Sequence, residues 1–221
     1  MDLYVEKIIG AFSEHKNPQN AVRMKAYMKN KFDFLGIKSP ERRAISKPVL
    51  TRAALPEAED IFPIIQKFWD LPHREYQYFA MELITRYKRH VTRDWIRQYE
   101  LMIISKSWWD TVDYIAGTLV GYFFMVFPDY IHPTTSTWMQ SNNIWLQRSC
   151  LLFQLKYKND TNTELLSGFI EELSHSKEFF IAKAIGWALR EYSKSNPDWV
   201  RSFVENHSLQ PLSRREAIKR I

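Results

Sequence analysis

The chain is expected to fold as an all-α array of stacked helix pairs, and three features of the sequence predict it. Six Gly and 10 Pro are few for 221 residues, which disfavours turn-rich β architectures. Apolar residues recur at helical spacing almost throughout, and no stretch sustains the alternation of a strand. Tyr87, Tyr122, Tyr157 and Tyr192 follow one another at intervals of 35 residues, the length of a helix-pair repeat.

The elements can be justified in chain order. The N-terminus places Asp2 and Glu6 ahead of any apolar run, so it is no secretory signal. Asn17-Pro18, Ser39-Pro40 and Leu71-Pro72 each break one periodic segment or open the next. Phe79, Leu83, Ile84 and Tyr87 then share a helix face. The longest apolar run, Tyr114 to Phe127, is too short to span a bilayer and stops at Pro128 and Asp129, so it reads as a buried helix. Phe127-Pro128 and His132-Pro133 punctuate the next boundary. Leu151, Leu152 and Leu155 mark another helix, and Ile181, Ile185, Ala188 and Leu189 a further one, followed by breaks at Asn196-Pro197 and Gln210-Pro211.

Stacked units of this length form a solenoid. The Trp-Gly-Ala-Pro signature of tetratricopeptide repeats and the Thr-Pro-Leu-His signature of ankyrin repeats are both absent, which leaves HEAT-like pairs, shorter than usual. The expected fold is therefore an α-α superhelix, a right-handed solenoid of about six helix pairs. With no linker or low-complexity tract, residues 1–221 are expected to make a single domain and a monomer.

Composition narrows the function. Thirty-one Lys and Arg against 25 Asp and Glu give a formal charge of +6, which suits a polyanionic partner such as nucleic acid. A lone cysteine, Cys150, excludes an internal disulfide and cysteine-ligated zinc or iron–sulfur centres, and fits a reducing compartment, the cytoplasm. The six His form no metal-ligand pair at helical spacing, and no glycine-rich phosphate loop exists, so no cofactor is implied.

In a solenoid, equivalent positions of successive repeats line up on one surface. The position nine residues before each register Tyr holds Tyr78, Asp113, Arg148 and Lys183, polar groups inside otherwise apolar helices. Such a row reads as a solvated stripe, as salt bridges between repeats, or as the lining of a concave binding face. Trp109 lies four residues before Asp113 and Trp187 four after Lys183, so the rings are expected on that same surface. Of the eight Trp, Trp69, Trp95, Trp138 and Trp199 read as packing groups. The doublet Trp108-Trp109 cannot point both rings into one core, so one is expected to face outward. Basic residues crowd the same helices and their loops, among them Lys106, Lys156, Lys158, Arg190, Arg214, Arg215, Lys219 and Arg220. Cations interleaved with aromatic rings suit a phosphate backbone with a nucleoside pressed against indoles.

Seven segments carry a resemblance to a known family. They are Tyr27-Met28-Lys29-Asn30, Pro40-Glu41-Arg42-Arg43, Lys106-Ser107-Trp108-Trp109-Asp110-Thr111-Val112-Asp113, Asn142-Asn143-Ile144-Trp145-Leu146-Gln147-Arg148, Ser176-Lys177-Glu178-Phe179-Phe180, Lys183-Ala184-Ile185-Gly186-Trp187 and 212–219. Over essentially its whole length the sequence resembles the AlkD-type bacterial DNA glycosylases, which are built from HEAT-like repeats. The resemblance implies a monofunctional glycosylase that removes cationic alkylated purines, 3-methyladenine and 7-methylguanine, from duplex DNA. It implies a catalytic cluster of Asp113, Trp109 and Trp187, with Tyr27 near it. Arg148, with the neighbouring Lys156, Lys183 and Arg190, is expected on the DNA backbone. Lys38 stands where the best-known members carry Gln. Two other classes share many of these features: a DNA-binding solenoid without chemistry, and a helical-repeat scaffold that binds a peptide on its concave face.

Overall fold

A computed structural model describes residues 2–221, and among them there is no strand; a single parallel bridge joins Asp33 to His73. The all-α expectation is met. Where the sequence shows no linker, backbone contacts divide the chain into two compact units, Met1–Val91 and Thr92–Ile221. The boundary follows the short 3-10 turn Lys88–His90.

The first unit holds α1 (Asp2–Glu14), α2 (Pro18–Tyr27), α3 (Ser39–Ser46), α4 (Ile61–Asp70) and α5 (Arg74–Arg86). Its core is aromatic: Phe68 of α4 meets Phe79 of α5 edge-on at 4.8 Å, and Phe12 of α1 stacks on Tyr76 at 5.6 Å. Rings of this kind bury the most apolar area per residue and hold one another in offset or edge geometries. The Asn17-Pro18 signal works as read. Asn17 accepts the Asn20 N–H and Pro18 fills the first turn, where no N–H is needed.

The second unit holds α6 (Trp95–Ile104), α7 (Trp109–Tyr114), α8 (Gly121–Val126), α9 (Ile131–Gln140), α10 (Ile144–Leu152), α11 (Thr163–Leu173), α12 (Phe179–Tyr192), α13 (Pro197–Asn206) and α14 (Pro211–Ala217). Residues Ile115–Val120, between α7 and α8, form a π-helical segment, so the apolar run is not one regular α-helix; it is largely buried from Ile115 to Phe124, but its end is not, with Met125 and Val126 exposed. Such bulges often sit beside functional groups. Gly121 explains the close packing there: a Cβ would run into the Phe153 carbonyl, and the Tyr157 hydroxyl donates to the Gly121 carbonyl at 2.7 Å. Asn196 caps α13 as its sequence signal implies, whereas Pro133 sits within the first turn of α9 and breaks nothing.

The two units share one recurring feature. Gln77 of α5 donates its amide to the carbonyls that end α4, Trp69 among them at 3.0 Å; Gln147 of α10 donates to the Met139 carbonyl near the end of α9 at 3.0 Å. These two bonds are related by a shift of two 35-residue periods in the sequence. Both satisfy carbonyls that a helix end leaves without partners. The register Tyr are less uniform: Tyr87 caps α5 and Tyr192 ends α12, but Tyr157 follows a 3-10 turn, Phe153–Lys156, that replaces the expected α-helix, and Tyr122 lies inside α8. Among the described residues, no single helix is long and apolar enough to cross a membrane.

Candidate functional site: an aspartate, two arginines and an indole on successive repeat helices

Three of the four residues in the row read from the sequence, Asp113, Arg148 and Lys183, lie in the second unit on α7, α10 and α12, whereas Tyr78 lies on α5 of the first unit. Arg148, on α10, meets Asp113, on α7, in a two-pronged pair: Nε donates to Oδ1 at 2.7 Å and Nη2 to Oδ2 at 2.8 Å. Its remaining Nη1 donates to the Phe180 carbonyl at the start of α12, so one guanidinium ties three helices. A planar fork against a planar carboxylate is the strongest and most direction-specific of ion pairs. The Arg148 side chain is only 1% exposed while that of Asp113 keeps 17%. The expectation of a phosphate contact for Arg148 does not fit this placement. Its donors are turned inward, and what it serves is the carboxylate.

Burial pushes the Asp113 carboxyl above the usual carboxylate range. The hydrogen bonds and charge of Arg148 pull it back, and nearby Asp110 adds a smaller upward push. Each carboxylate oxygen offers two lone-pair sites, of which Arg148 takes one, so the exposed edge of Asp113 can still accept a hydrogen bond.

Trp187, on α12, collects cations. Arg148, Lys183 and Arg190 lie 5.5, 5.7 and 5.9 Å from its ring centre. Such distances are within reach of the attraction between a cation and an aromatic face. Lys183, Trp187 and Arg190 share one face of α12 by their spacing. Trp109 opens α7 one turn ahead of Asp113 and is half-buried. Its neighbour Trp108 is not helical at all: it precedes α7 in an extended conformation and packs its ring against Trp145 at 5.7 Å and Phe180 at 4.9 Å. The doublet therefore splits because the two residues lie on opposite sides of a helix start. Trp69, Trp95 and Trp138 are buried as expected, and Trp199 stacks on Phe203 at 5.0 Å.

Sequence reasoning missed Glu216. Its side chain, 4% exposed, comes from α14 and meets Lys183 at 3.1 Å, Arg190 at 2.8 Å and Lys219 at 2.5 Å. The hydrogen bond from Lys219, with that from Lys183 and the charges of both, draws the carboxyl down to about 2 against the cost of burial. The available signal was Gly186, a lone glycine in a long helix, which marks a close approach by another element. Lys156 is exposed and donates to Thr118 in the π segment at 2.7 Å. Tyr27 is the last residue of α2 in the first unit, with its side chain largely exposed. No group of three or more His, Cys, Asp or Glu among the described residues could hold a metal ion.

These features define an all-helical repeat protein with a polar site built across consecutive repeats. Residues 8–221 match the model of the DNA alkylation repair enzyme family, and the chain belongs to that family. It is similar to the solved structure of a predicted DNA alkylation repair enzyme from Enterococcus faecalis, with 35% identity and a TM-score of 0.87 over 93% of this chain and 96% of that one. This likeness agrees with the α-α superhelical repeat class. No curated protein matches the chain.

Proposed function

We propose that the protein is a monofunctional DNA glycosylase that hydrolyses the N-glycosidic bond of cationic alkylated purines, 3-methyladenine and 7-methylguanine, in duplex DNA. The observation that carries the reading is the Asp113 carboxylate. It is held in one orientation by Arg148, which itself lies 5.5 Å from the Trp187 ring centre, and is partly open, in a chain of the DNA alkylation repair family. A purine alkylated on a ring nitrogen is already cationic. When its bond to C1′ breaks, the electron pair goes to the base, which leaves neutral, and positive charge appears on the deoxyribose. Water adds at C1′ and gives up a proton, leaving an abasic sugar.

The work left for the protein is to stabilise that positive sugar and to place the water. A fixed carboxylate in a partly dry site does the first, and the open lone pairs of Asp113 orient or deprotonate the water. Trp109 and Trp187 supply ring faces for the sugar and cation. Lys183, Arg190 and Lys156 are the cations available to phosphates, and Tyr27 is assigned to the DNA side on the resemblance alone. The enzyme works as a monomer in the cytoplasm, at the nucleoid when it acts.

One observation favours a DNA-binding protein without chemistry: Asp113 and Arg148 pair at one-repeat spacing, as a purely structural bridge between repeats would. Single-turnover release of 3-methyladenine and 7-methylguanine from methylated duplex, set beside the same DNA without protein, separates the two. Release well above spontaneous depurination is expected; release at the spontaneous rate, with salt-dependent DNA binding intact, leaves the binding protein.

A further inference from the structure

Lys183, Trp187 and Arg190 present two cations and one indole on the same face of α12, with the cations 5.7 and 5.9 Å from the Trp187 ring centre. Two like charges so close repel, and each long side chain gains rotamer freedom by swinging into water. Neither does so. Both are tied to Glu216, which reaches them from α14.

The approach that allows this is specific. A Cβ on Gly186 would run into the Cβ of Glu216 and the Ser213 carbonyl, so any larger residue would push α14 away. Ser213, buried, donates its hydroxyl to the Ala182 carbonyl at 2.8 Å and locks the two helices in register. The result is a carboxylate with almost no contact with water, while Lys183 and Arg190 remain 24% and 28% exposed. An ammonium carries three donors and a guanidinium five, so each cation retains donors directed elsewhere.

We propose that Glu216 is a positioning residue of the site: it holds Lys183 and Arg190 beside Trp187 so that their spare donors meet the phosphates flanking the lesion, and it offsets cationic charge that would oppose a positively charged sugar. This rests on the glycosylase reading for its effect on rate, and on DNA binding alone for its effect on affinity. Free to move, the two cations would still attract DNA, yet would no longer set the sugar against Trp187 and Asp113.

The test is Glu216→Gln, which keeps shape and removes charge. Single-turnover base release is expected to slow about tenfold. Binding to a duplex carrying an abasic-site analogue is expected to stay as tight or become tighter, with its salt slope steeper by about one counterion. A merely structural role predicts release and binding falling together, and that result, or release at the wild-type rate, overturns the proposal. Should Glu216→Gln fail to fold, the charge-balanced pair Glu216→Gln with Lys219→Gln takes its place. Slow release with binding retained supports the proposal there too, and wild-type release overturns it. If the wild-type protein releases no base at all, the glycosylase reading fails by itself. The salt slope still decides the anchoring: steeper in Glu216→Gln supports it, and unchanged sinks it.

Discussion

Glu75, in the first unit, and Asp113, in the second, are both carboxylates within helices, yet their surroundings give them opposite uses. Glu75 is completely buried and accepts three backbone N–H groups, from Leu35 at 3.0 Å, Gly36 at 2.8 Å and Ile37 at 3.1 Å. Gly36 takes φ 91°, a backbone that only glycine adopts without strain, and so lets that loop curl around the carboxylate. The donors are main chain, fixed by the path of the fold, and they leave no edge open. Asp113 is instead satisfied by one side chain, which leaves part of the carboxylate facing out. A carboxylate enclosed by backbone clamps a loop; one presented by a guanidinium remains available to a substrate.

The sharpest break between the two comes from removing charge while keeping shape. Asp113→Asn is expected to slow base release by about 100-fold or more, which is about 2.7 kcal/mol of barrier, while DNA binding persists. Single-turnover rates beside equilibrium binding would show it, and wild-type release would end the carboxylate mechanism. Glu75→Gln should do the reverse. Loss of charged hydrogen bonds to three main-chain donors is expected to cost about 2 kcal/mol of stability in a denaturant melt, with release by the folded protein essentially intact. A large loss of rate without loss of stability would give Glu75 a role the structure does not show.

A smaller effect tests what presents Asp113. Arg148→Lys keeps the charge but not the fork, so release should fall about five- to tenfold. The salt slope of DNA binding should not change, because the Arg148 side chain is buried against Asp113 and the Phe180 carbonyl, out of reach of a phosphate. A slope flatter by one counterion would restore the phosphate role expected from the sequence. The smallest effect is a displacement of the pH profile. Release requires the ionised carboxylate, and burial raises the pKa of Asp113, so the rate should fall on acidification at a pH above that of an ordinary aspartate. Glu75→Gln should leave this acid limb in place, and Asp113→Asn should abolish it.

Much of this was legible in the sequence, and particular residues show why. Pro18, Pro40, Pro197 and Pro211 mark helix starts because a residue without an N–H fits only the first turn. The 35-residue register placed Asp113 and Arg148 in neighbouring repeats, and they do touch. What the register left open was the direction of the guanidinium. Spacing gives the face of a helix, but not whether a charge on that face meets solvent, DNA or the opposite charge one repeat away. Leu151 and Leu152 are α-helical as read, but the segment 153–157 misled for a related reason: its apolar pattern suits both an α-helix and a 3-10 turn, and the close approach to Gly121 accompanies the tighter form.

Helix content, the fold class and the residue types of the site were determined by the sequence itself, because periodicity and proline chemistry act over a few residues and need no partner. Tertiary structure decided the pairing. Glu75 becomes a loop clamp only when 35–37 folds over it, and Glu216 becomes a hub only where Gly186 admits α14. Arg148 becomes the holder of Asp113 only when α7, α10 and α12 stack. A buried ion's energy depends on which groups replace its lost water, and those groups lie far away along the chain.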